Sequence, residues 1–155
     1  MNNKTKPLIC ILGCSGSGKS TICLDLEQKY GLKQIPSYTT RKPRDENDKK
    51  GHIFVSDDEF KAIRNELVAY AITTGARYGV TQEQIDNEEY DLYVVDFTGL
   101  KALWQNYKGQ RPIVSIFIDC SLHERYERLN KRYSKQFDTF KEANEHTLER
   151  IVHDA

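Results

Sequence analysis

The chain has 155 residues, of which 38% are hydrophobic and 30% charged, a composition typical of one soluble globular domain. Lysine and arginine (23) balance aspartate and glutamate (23), which excludes a general nucleic-acid binder because such proteins are strongly basic. No apolar run has the length of a membrane span, so we expect no membrane partner. The four cysteines form no C-x-x-C pair, and thiols kept reduced predict a cytoplasmic protein.

The N-terminal part of the chain predicts a strand, a glycine-rich turn and a helix, in that order. The short, continuous apolar run Leu8–Leu12 is typical of a parallel strand buried on both faces. After the turn, apolar residues recur at helical spacing through Lys19–Tyr30, and Gly31 is a suitable helix stop.

The glycine-rich turn matches the phosphate-binding pattern G-x-x-x-x-G-K-S in full. Glycines let several backbone N–H groups point at one phosphate, and the following helix adds its positive N-terminal end. Lys19 can reach the outer phosphates and Ser20 can hold Mg²⁺, so we expect ATP and Mg²⁺ as cofactors. The predicted ATP-binding residues are Gly13, Cys14, Ser15, Gly16, Ser17, Gly18, Lys19, Ser20 and Thr21.

The next segment is less regular. Residues 34–54 are polar and rich in turn residues, and we interpret the stretch 44–50 as an exposed loop. Ser56 begins a capping box with Glu59, which predicts a helix over residues 57–65.

The remainder alternates between predicted strands and predicted helices. The strands are predicted at residues 67–72, 77–80, 91–96 and 113–118. The helices are predicted after Thr81, at 99–107, from 121 to about 132, and from 139 to beyond 152. Strands that alternate with helices indicate an α/β fold with a parallel sheet.

Four segments that follow the turn in order resemble the guanylate kinase family. Residues 37–44 resemble its S-x-T-T-R-x-P-R, 51–60 its G-x-x-Y-x-F-V-S-x-x-E-F, 75–79 its G-x-Y-Y-G and 96–99 its D-x-Q-G. The similarity covers about residues 9–151. It implies a three-layer P-loop nucleotide-kinase fold in a single domain, 1–155. The implied parts are a parallel sheet core (7–33 and 91–155), an acceptor-binding insertion (34–90) and a small lid (about 132–139).

Arg41 and Arg44 lie three residues apart on a loop opened by hydroxyl side chains, which fits a clamp for a phosphate. The alternative is a solvated basic loop. By resemblance, the acceptor is a small phosphorylated molecule bound by Ser37, Arg41, Arg44, His52, Tyr78 and Asp96. Asp96 also fits a helix cap.

The resemblance further implies that arginines close on the transferring phosphoryl group. The implied catalytic residues are Lys19, Arg41, Arg132 and Arg150, and Arg128 contacts ATP. Arg125, on the same predicted helix, is interpreted as part of a solvated face.

Two departures from the family concern the residues that read guanine. Ala69 replaces a glutamate and Val80 replaces a serine or threonine. The resemblance implies phosphorylation of GMP to GDP, but two alternatives stay open. Ribose 1,5-bisphosphate phosphokinase shares the fold and resembles this chain at His52 and at residues 77–80. Guanylate-kinase-like modules that bind proteins without catalysis usually have a degraded P-loop, whereas Lys19 and Ser20 are intact here.

Overall fold

The computed structural model describes residues 5–154, which form two sheets with helices packed against them. The strands are β1 (Leu8–Leu12), β2 (Ser37–Thr39), β3 (His52–Phe54), β4 (Leu67–Thr73), β5 (Ala76–Thr81), β6 (Leu92–Val94) and β7 (Ile113–Phe117). The helices are α1 (Lys19–Tyr30), α2 (Asp48–Gly51), α3 (Asp57–Ala62), α4 (Gln82–Asp86), α5 (Phe97–Asn106), α6 (Leu122–Tyr133) and α7 (Phe140–His153). Among these residues, no helix is both long and apolar enough to cross a membrane.

The core sheet has the strand order β6-β1-β7, and both pairings are parallel. Central strand β1 is sandwiched between two layers, because alternate side chains of a strand point to opposite faces. Leu8 and Cys10 pack toward α5 and the second sheet, whereas Ile11 packs with Cys23 of α1. The predicted α/β fold with a parallel sheet is therefore confirmed, as are the predicted bounds of β1 and α1.

The second sheet has the order β3-β2-β5-β4 and is mixed. β2 pairs with β3 in parallel, whereas β5 is antiparallel to both β2 and β4. β4 and β5 are joined by the two-residue turn Thr74–Gly75, and so short a connection requires antiparallel strands. This sheet lies within the predicted acceptor-binding insertion.

The prediction of a turn-rich segment over 34–54 is wrong in part, because β2, α2 and β3 lie there. Two polar side chains of β2, Ser37 and Thr39, point inward and are buried, so hydropathy did not mark this strand. α3 also ends at Ala62, three residues before the predicted bound, and a single 3₁₀ turn follows. α5 begins at Phe97, earlier than predicted, because Asp96 caps it.

A buried arginine ties the amino ends of the core strands together. Arg111 is 4% exposed, and its Nε lies 2.9 Å from the carbonyl oxygen of Lys6, just before β1. Its Nη1 lies 2.8 Å from Ile85 O and 3.0 Å from Asn87 O, and its Nη2 donates to Tyr90 O, just before β6. One guanidinium thus connects the starts of the paired strands β1 and β6 to the end of α4.

We expect Arg111→Met to lower the free energy of unfolding by about 3 kcal/mol, because several buried carbonyls lose a charged donor. Urea denaturation measures this, with Lys101→Met, at an exposed position of α5, as control. A loss no larger than that of the control would contradict the structural role of Arg111.

Candidate active site

The loop between β1 and α1 has a backbone that requires glycine at several positions. A Cβ atom on Gly13 would lie 2.5 Å from Ile118 O and 2.6 Å from Ser17 Oγ, so no larger residue fits. Gly16 has a φ of +80°, in the left-handed region that side chains disfavour. The loop therefore curls tightly and leads into the first turn of α1, whose N–H groups have no partners within the helix.

Lys19 lies over this loop. Its Nζ donates to Gly13 O at 2.6 Å and to Cys14 O at 3.0 Å. Burial lowers the pKa of Lys19 to about 8, and the charges of Arg150 and Arg132 contribute in the same direction against Asp154. Arg150 and Arg132, both implied by the resemblance, are thus close enough to Lys19 for their charges to affect it.

The loop fits the phosphates of ATP and a magnesium ion. The side chains of Ser20 and Thr21 are exposed at the start of α1, where a hydroxyl can serve as a metal ligand. Ser17 Oγ is buried in the loop and has no hydrogen-bond partner among the described residues. The loop therefore forms a cradle for anions. It consists of a tight glycine-rich backbone, the Lys19 ammonium group and the N–H groups of the first turn of α1, which have no partners within the helix.

Every polar group of Ser15 in this loop is bound by α6 and the end of α7. Its N–H donates to Asp154 Oδ2 at 2.6 Å, its carbonyl accepts from Arg125 Nε at 3.0 Å, and its hydroxyl accepts from Arg150 Nε. Arg125 Nη2 also lies 3.0 Å from Asp154 Oδ2. Arg128, one turn further along α6, donates to Gly16 O at 3.1 Å from the rim of the loop.

The interpretation of Arg125 as part of a solvated face is wrong, since the residue is only 9% exposed. Helical spacing held a usable signal, because Leu129, four residues later on the same face, is fully buried. Asp154 was not predicted as a site residue either, and nothing in its local sequence marks it.

The predicted phosphate clamp is formed around a carboxylate. The Asp48 carboxylate accepts hydrogen bonds from both terminal nitrogens of Arg41, with Nη2 at 2.9 Å from Oδ1. It also accepts a hydrogen bond from the backbone N–H of Arg44 at 2.8 Å. Arg41 Nε lies 3.1 Å from the Tyr78 hydroxyl. Burial by itself would raise the pKa of Asp48, but the hydrogen bonds from Arg41 and from the Arg44 backbone lower it to about 2.

Asp48 lay in the stretch interpreted as an exposed loop, and it is instead half-buried at the start of α2. Most of its neighbours in sequence are also charged, and a run of charged residues usually indicates a solvated loop, so its role was not predicted. Arg41 and Arg44 themselves do come together beside Tyr78, as the resemblance implied.

His52 and Ser37 lie next to this clamp on paired strands. Ser37 Oγ and His52 Nδ1 are 2.9 Å apart, and the His52 and Tyr78 ring centroids are 5.9 Å apart. Burial, followed by the positive charge of Arg41, lowers the pKa of His52 to about 4. The imidazole is therefore neutral near pH 7 and can offer Nε2 as a hydrogen-bond donor or acceptor.

A cleft of about 640 Å³ separates the clamp from the turn between α6 and α7. One wall carries residues 41–44 and Thr74, and the other carries Tyr133, Gln136, His146 and Glu149. Desolvation, then the charges of Arg41 and Arg132, lower the pKa of Arg44, which places Arg132 near the clamp. The positive charges of Arg41, Arg44 and Arg132 thus act on the same end of this cleft.

Asp96 lies at the carboxyl end of the core sheet, as predicted, but both of its oxygens have partners. Oδ1 accepts the Gly99 N–H at 2.7 Å and caps α5, and Oδ2 accepts from Thr73 Oγ1 at 3.0 Å. Ala69 and Val80 are 0% exposed and belong to the hydrophobic core between the second sheet and α5. No polar side chain at these two positions is available to read an acceptor.

The chain is similar in sequence to several known proteins. The AAA domain family matches residues 9–150. A guanylate kinase of Clostridium acetobutylicum is 39% identical over 132 residues, which are 81% of this chain and 60% of that protein. A guanylate kinase of Mesomycoplasma hyopneumoniae is 32% identical over 88% of this chain and 74% of its own length. The chain thus spans three fifths of the length of the Clostridium relative.

The crystal structure of a guanylate kinase from Anaplasma phagocytophilum matches the fold with a TM-score of 0.59. The alignment covers 96% of this chain and 86% of that chain, at 23% sequence identity. The similarity supports the arrangement of sheets and helices described above.

We expect the ring of His52 to stay unprotonated between pH 5.5 and 8, because its pKa is about 4 in the folded protein. An unfolded histidine binds a proton near pH 6.5, so the free energy of unfolding should fall as pH drops from 6.5 toward 4. NMR titration of the imidazole checks the first point, and His52→Gln should weaken that pH dependence. A ring that titrates between pH 5.5 and 8 would contradict the assignment.

The cysteines differ in access, and alkylation should reveal the difference. Burial raises the pKa of Cys10 to about 12 and of Cys23 to about 11, so both should stay unmodified, whereas Cys14 is half-buried in the loop. With Cys120→Ser to remove the other half-buried thiol, brief iodoacetamide treatment should label Cys14 first, and Mg-ATP should slow it. Peptide mass spectrometry measures the labelling. Equal labelling of Cys14 with and without nucleotide would show that phosphates do not occupy the loop.

Proposed function

Because this chain belongs to the guanylate kinase family, we propose that it transfers the terminal phosphoryl group of ATP to a nucleoside monophosphate, with GMP as the first candidate acceptor. The observation that carries the proposal is that one domain holds both a complete glycine-rich cradle and an Arg41–Tyr78 clamp. Arg150 links the two regions, because it donates to Ser15 in the loop and to Thr74, which lines the cleft beside residues 41–44. A nucleotide-binding protein without transfer chemistry needs the cradle but no second anion site.

The proposed reaction depends on position and charge. The acceptor phosphate, held by Arg41, Arg44 and Tyr78, supplies an anionic oxygen that attacks the terminal phosphorus of ATP, and the bond to ADP breaks. This nucleophile is already deprotonated at neutral pH, so no side chain has to act as a strong base. Lys19 and Arg150 lie on the side of the cradle, where they would stabilise the charge on the transferring group.

Several assignments complete the proposal. The cradle N–H groups and Lys19 bind the ATP phosphates, and Arg128 contacts ATP at the rim of the loop. Ser20 would hold Mg²⁺, which neutralises phosphate charge when it is bound. The lid is the segment at about 132–139, which spans the end of α6 with Arg132 and the turn before α7, and its closure would keep water from the phosphoryl group. The cytoplasm remains the expected location.

Asp48 would determine which groups of the clamp can bind the acceptor phosphate. Its carboxylate holds the fork of Arg41 in place and neutralises part of the charge of the clamp. Arg44 uses its backbone N–H for Asp48, so its guanidinium remains available for a phosphate. Arg41 would contribute its remaining N–H together with its positive charge.

A second candidate function is phosphorylation of ribose 1,5-bisphosphate. The observation that favours it is the apolar core position of Ala69 and Val80, which stand where the family reads guanine. A base bound there would find no hydrogen-bonding side chain from these positions, whereas a sugar phosphate has no base to be read. A binding module without catalysis is the weaker candidate, because Lys19 and its loop have the arrangement of a nucleotide site.

The test is ADP release from Mg-ATP with GMP, dGMP, AMP, CMP, UMP, TMP or ribose 1,5-bisphosphate as acceptor. We expect GMP to stimulate release, with less preference over AMP than a site that reads guanine by hydrogen bonds would give. Lys19→Ala should reduce transfer at least 100-fold, because transition-state contacts of this kind contribute about 3–4 kcal/mol. Lys29→Ala, at an exposed position of the same helix, is the control.

Each other outcome points to a different conclusion. Stimulation by ribose 1,5-bisphosphate alone would establish the second candidate and reject GMP. No stimulation by any acceptor, with Lys19→Ala unchanged in residual ATP turnover, would reject the kinase proposal.

A further inference from the structure

The turn that joins β4 to β5 has a strained backbone. Among the non-glycine residues 5–154, Thr74 alone has a positive φ, 48°, and Gly75 follows with a φ of 78°. Turns of this kind favour Asn-Gly or Gly-Gly, whereas a β-branched residue crowds its own backbone in the left-handed region. Thr74 therefore has a backbone conformation that is unfavourable for threonine.

Arg150 links the Thr74 hydroxyl to the phosphate-binding loop. Arg150 Nη1 lies 3.2 Å from Thr74 Oγ1, and Arg150 Nε donates to Ser15 Oγ. Thr74 Oγ1 donates its own proton to Thr73 O at 2.8 Å. Because a hydroxyl has a single proton, this donation leaves its lone pairs to accept from Arg150.

The two ends of this bridge belong to different parts of the site. Ser15 is part of the cradle, while Thr74 is the tip of the second sheet and lines the cleft beside residues 41–44. Thr73, next to it, donates to Asp96 at the edge of the core sheet. Arg150 thus connects the loop that would bind ATP to the wall of the cleft that would bind the acceptor.

We propose that Thr74 is a positioning residue for phosphoryl transfer, whose hydroxyl holds Arg150 in place beside the cleft. The proposal rests on the function proposed above. Without the hydroxyl, Arg150 keeps its bond to Ser15 but loses its fixed direction toward the acceptor. Transfer to the acceptor then slows, and water attacks the terminal phosphorus of ATP in a larger fraction of turnovers, releasing ADP and inorganic phosphate.

Three substitutions separate the hydroxyl from the strain. Thr74→Val removes the hydroxyl and keeps a branched side chain, Thr74→Ser keeps the hydroxyl, and Thr74→Gly removes both the hydroxyl and the strain. For Thr74→Val we expect kcat to fall about tenfold, with KM for ATP changed by less than about twofold, since one charge-assisted hydrogen bond is lost. The ratio of inorganic phosphate release to acceptor phosphorylation should rise, and Thr74→Ser should stay within about twofold of wild type on every measure.

Thr74→Gly distinguishes positioning from a structural role. We expect its melting temperature to be at or above that of wild type, because glycine tolerates the positive φ, while its kcat falls as far as that of Thr74→Val. If Thr74→Gly recovers wild-type kcat, or Thr74→Val stays within twofold of wild type, the proposal is overturned.

A double-mutant cycle tests the contact without relying on activity. Thr74→Val and Arg150→Ala, singly and together, are compared by their free energies of unfolding in urea, and non-additive effects are expected if the two side chains interact. Additive effects in a protein that does transfer phosphoryl groups would overturn this proposal alone. Non-additive effects in a protein that phosphorylates no acceptor would reject the function, and the positioning role with it.

Discussion

The geometry of the site depends on how the loop at Ser15 is held. Between β1 and α1 the chain leaves the sheet and has no regular backbone ladder, so its conformation has to be fixed from outside. Arg125 binds the carbonyl of Ser15, Asp154 its N–H, and Arg150 its hydroxyl. The position of the α6–α7 pair therefore determines the shape of the cradle, and any movement of this pair acts on the loop directly.

Two carboxylates limit the cost of collecting so many cations around one cleft. Asp154 lies among Arg125, Arg150 and Lys19, and Asp48 lies between Arg41 and the backbone of Arg44. Arginines placed together without such partners would repel one another at low local dielectric. The two ion pairs, Arg41 with Asp48 and Arg125 with Asp154, thus neutralise part of this charge and fix the orientation of the arginines.

The cradle and the clamp are built on different scaffolds. The cradle follows from a parallel sheet whose strands end at one edge, the usual place for ligands in such sheets. The clamp is built on a small mixed sheet whose inner face is polar near His52 and Tyr78 and apolar at Ala69 and Val80. The sheet thus places side chains that can bind an anion next to a region where positions 69 and 80 offer no polar side chain.

The sequence by itself determined the cradle and the alternating core, because local patterns specify them. The spacing of Gly13, Gly18 and Lys19 requires one backbone shape, and the run Leu8–Leu12 predicts a buried strand wherever the chain folds. Capping residues such as Ser56 and Thr81 marked helix starts for the same local reason.

Only the tertiary structure showed that four further polar or charged residues belong to the site. Asp48, Arg125, Asp154 and Thr74 look like ordinary surface residues in sequence, and their roles come from partners between 7 and 139 positions away. A charged side chain has the same local pattern whether water or a buried partner satisfies it, so its contacts become known only when distant segments are brought together.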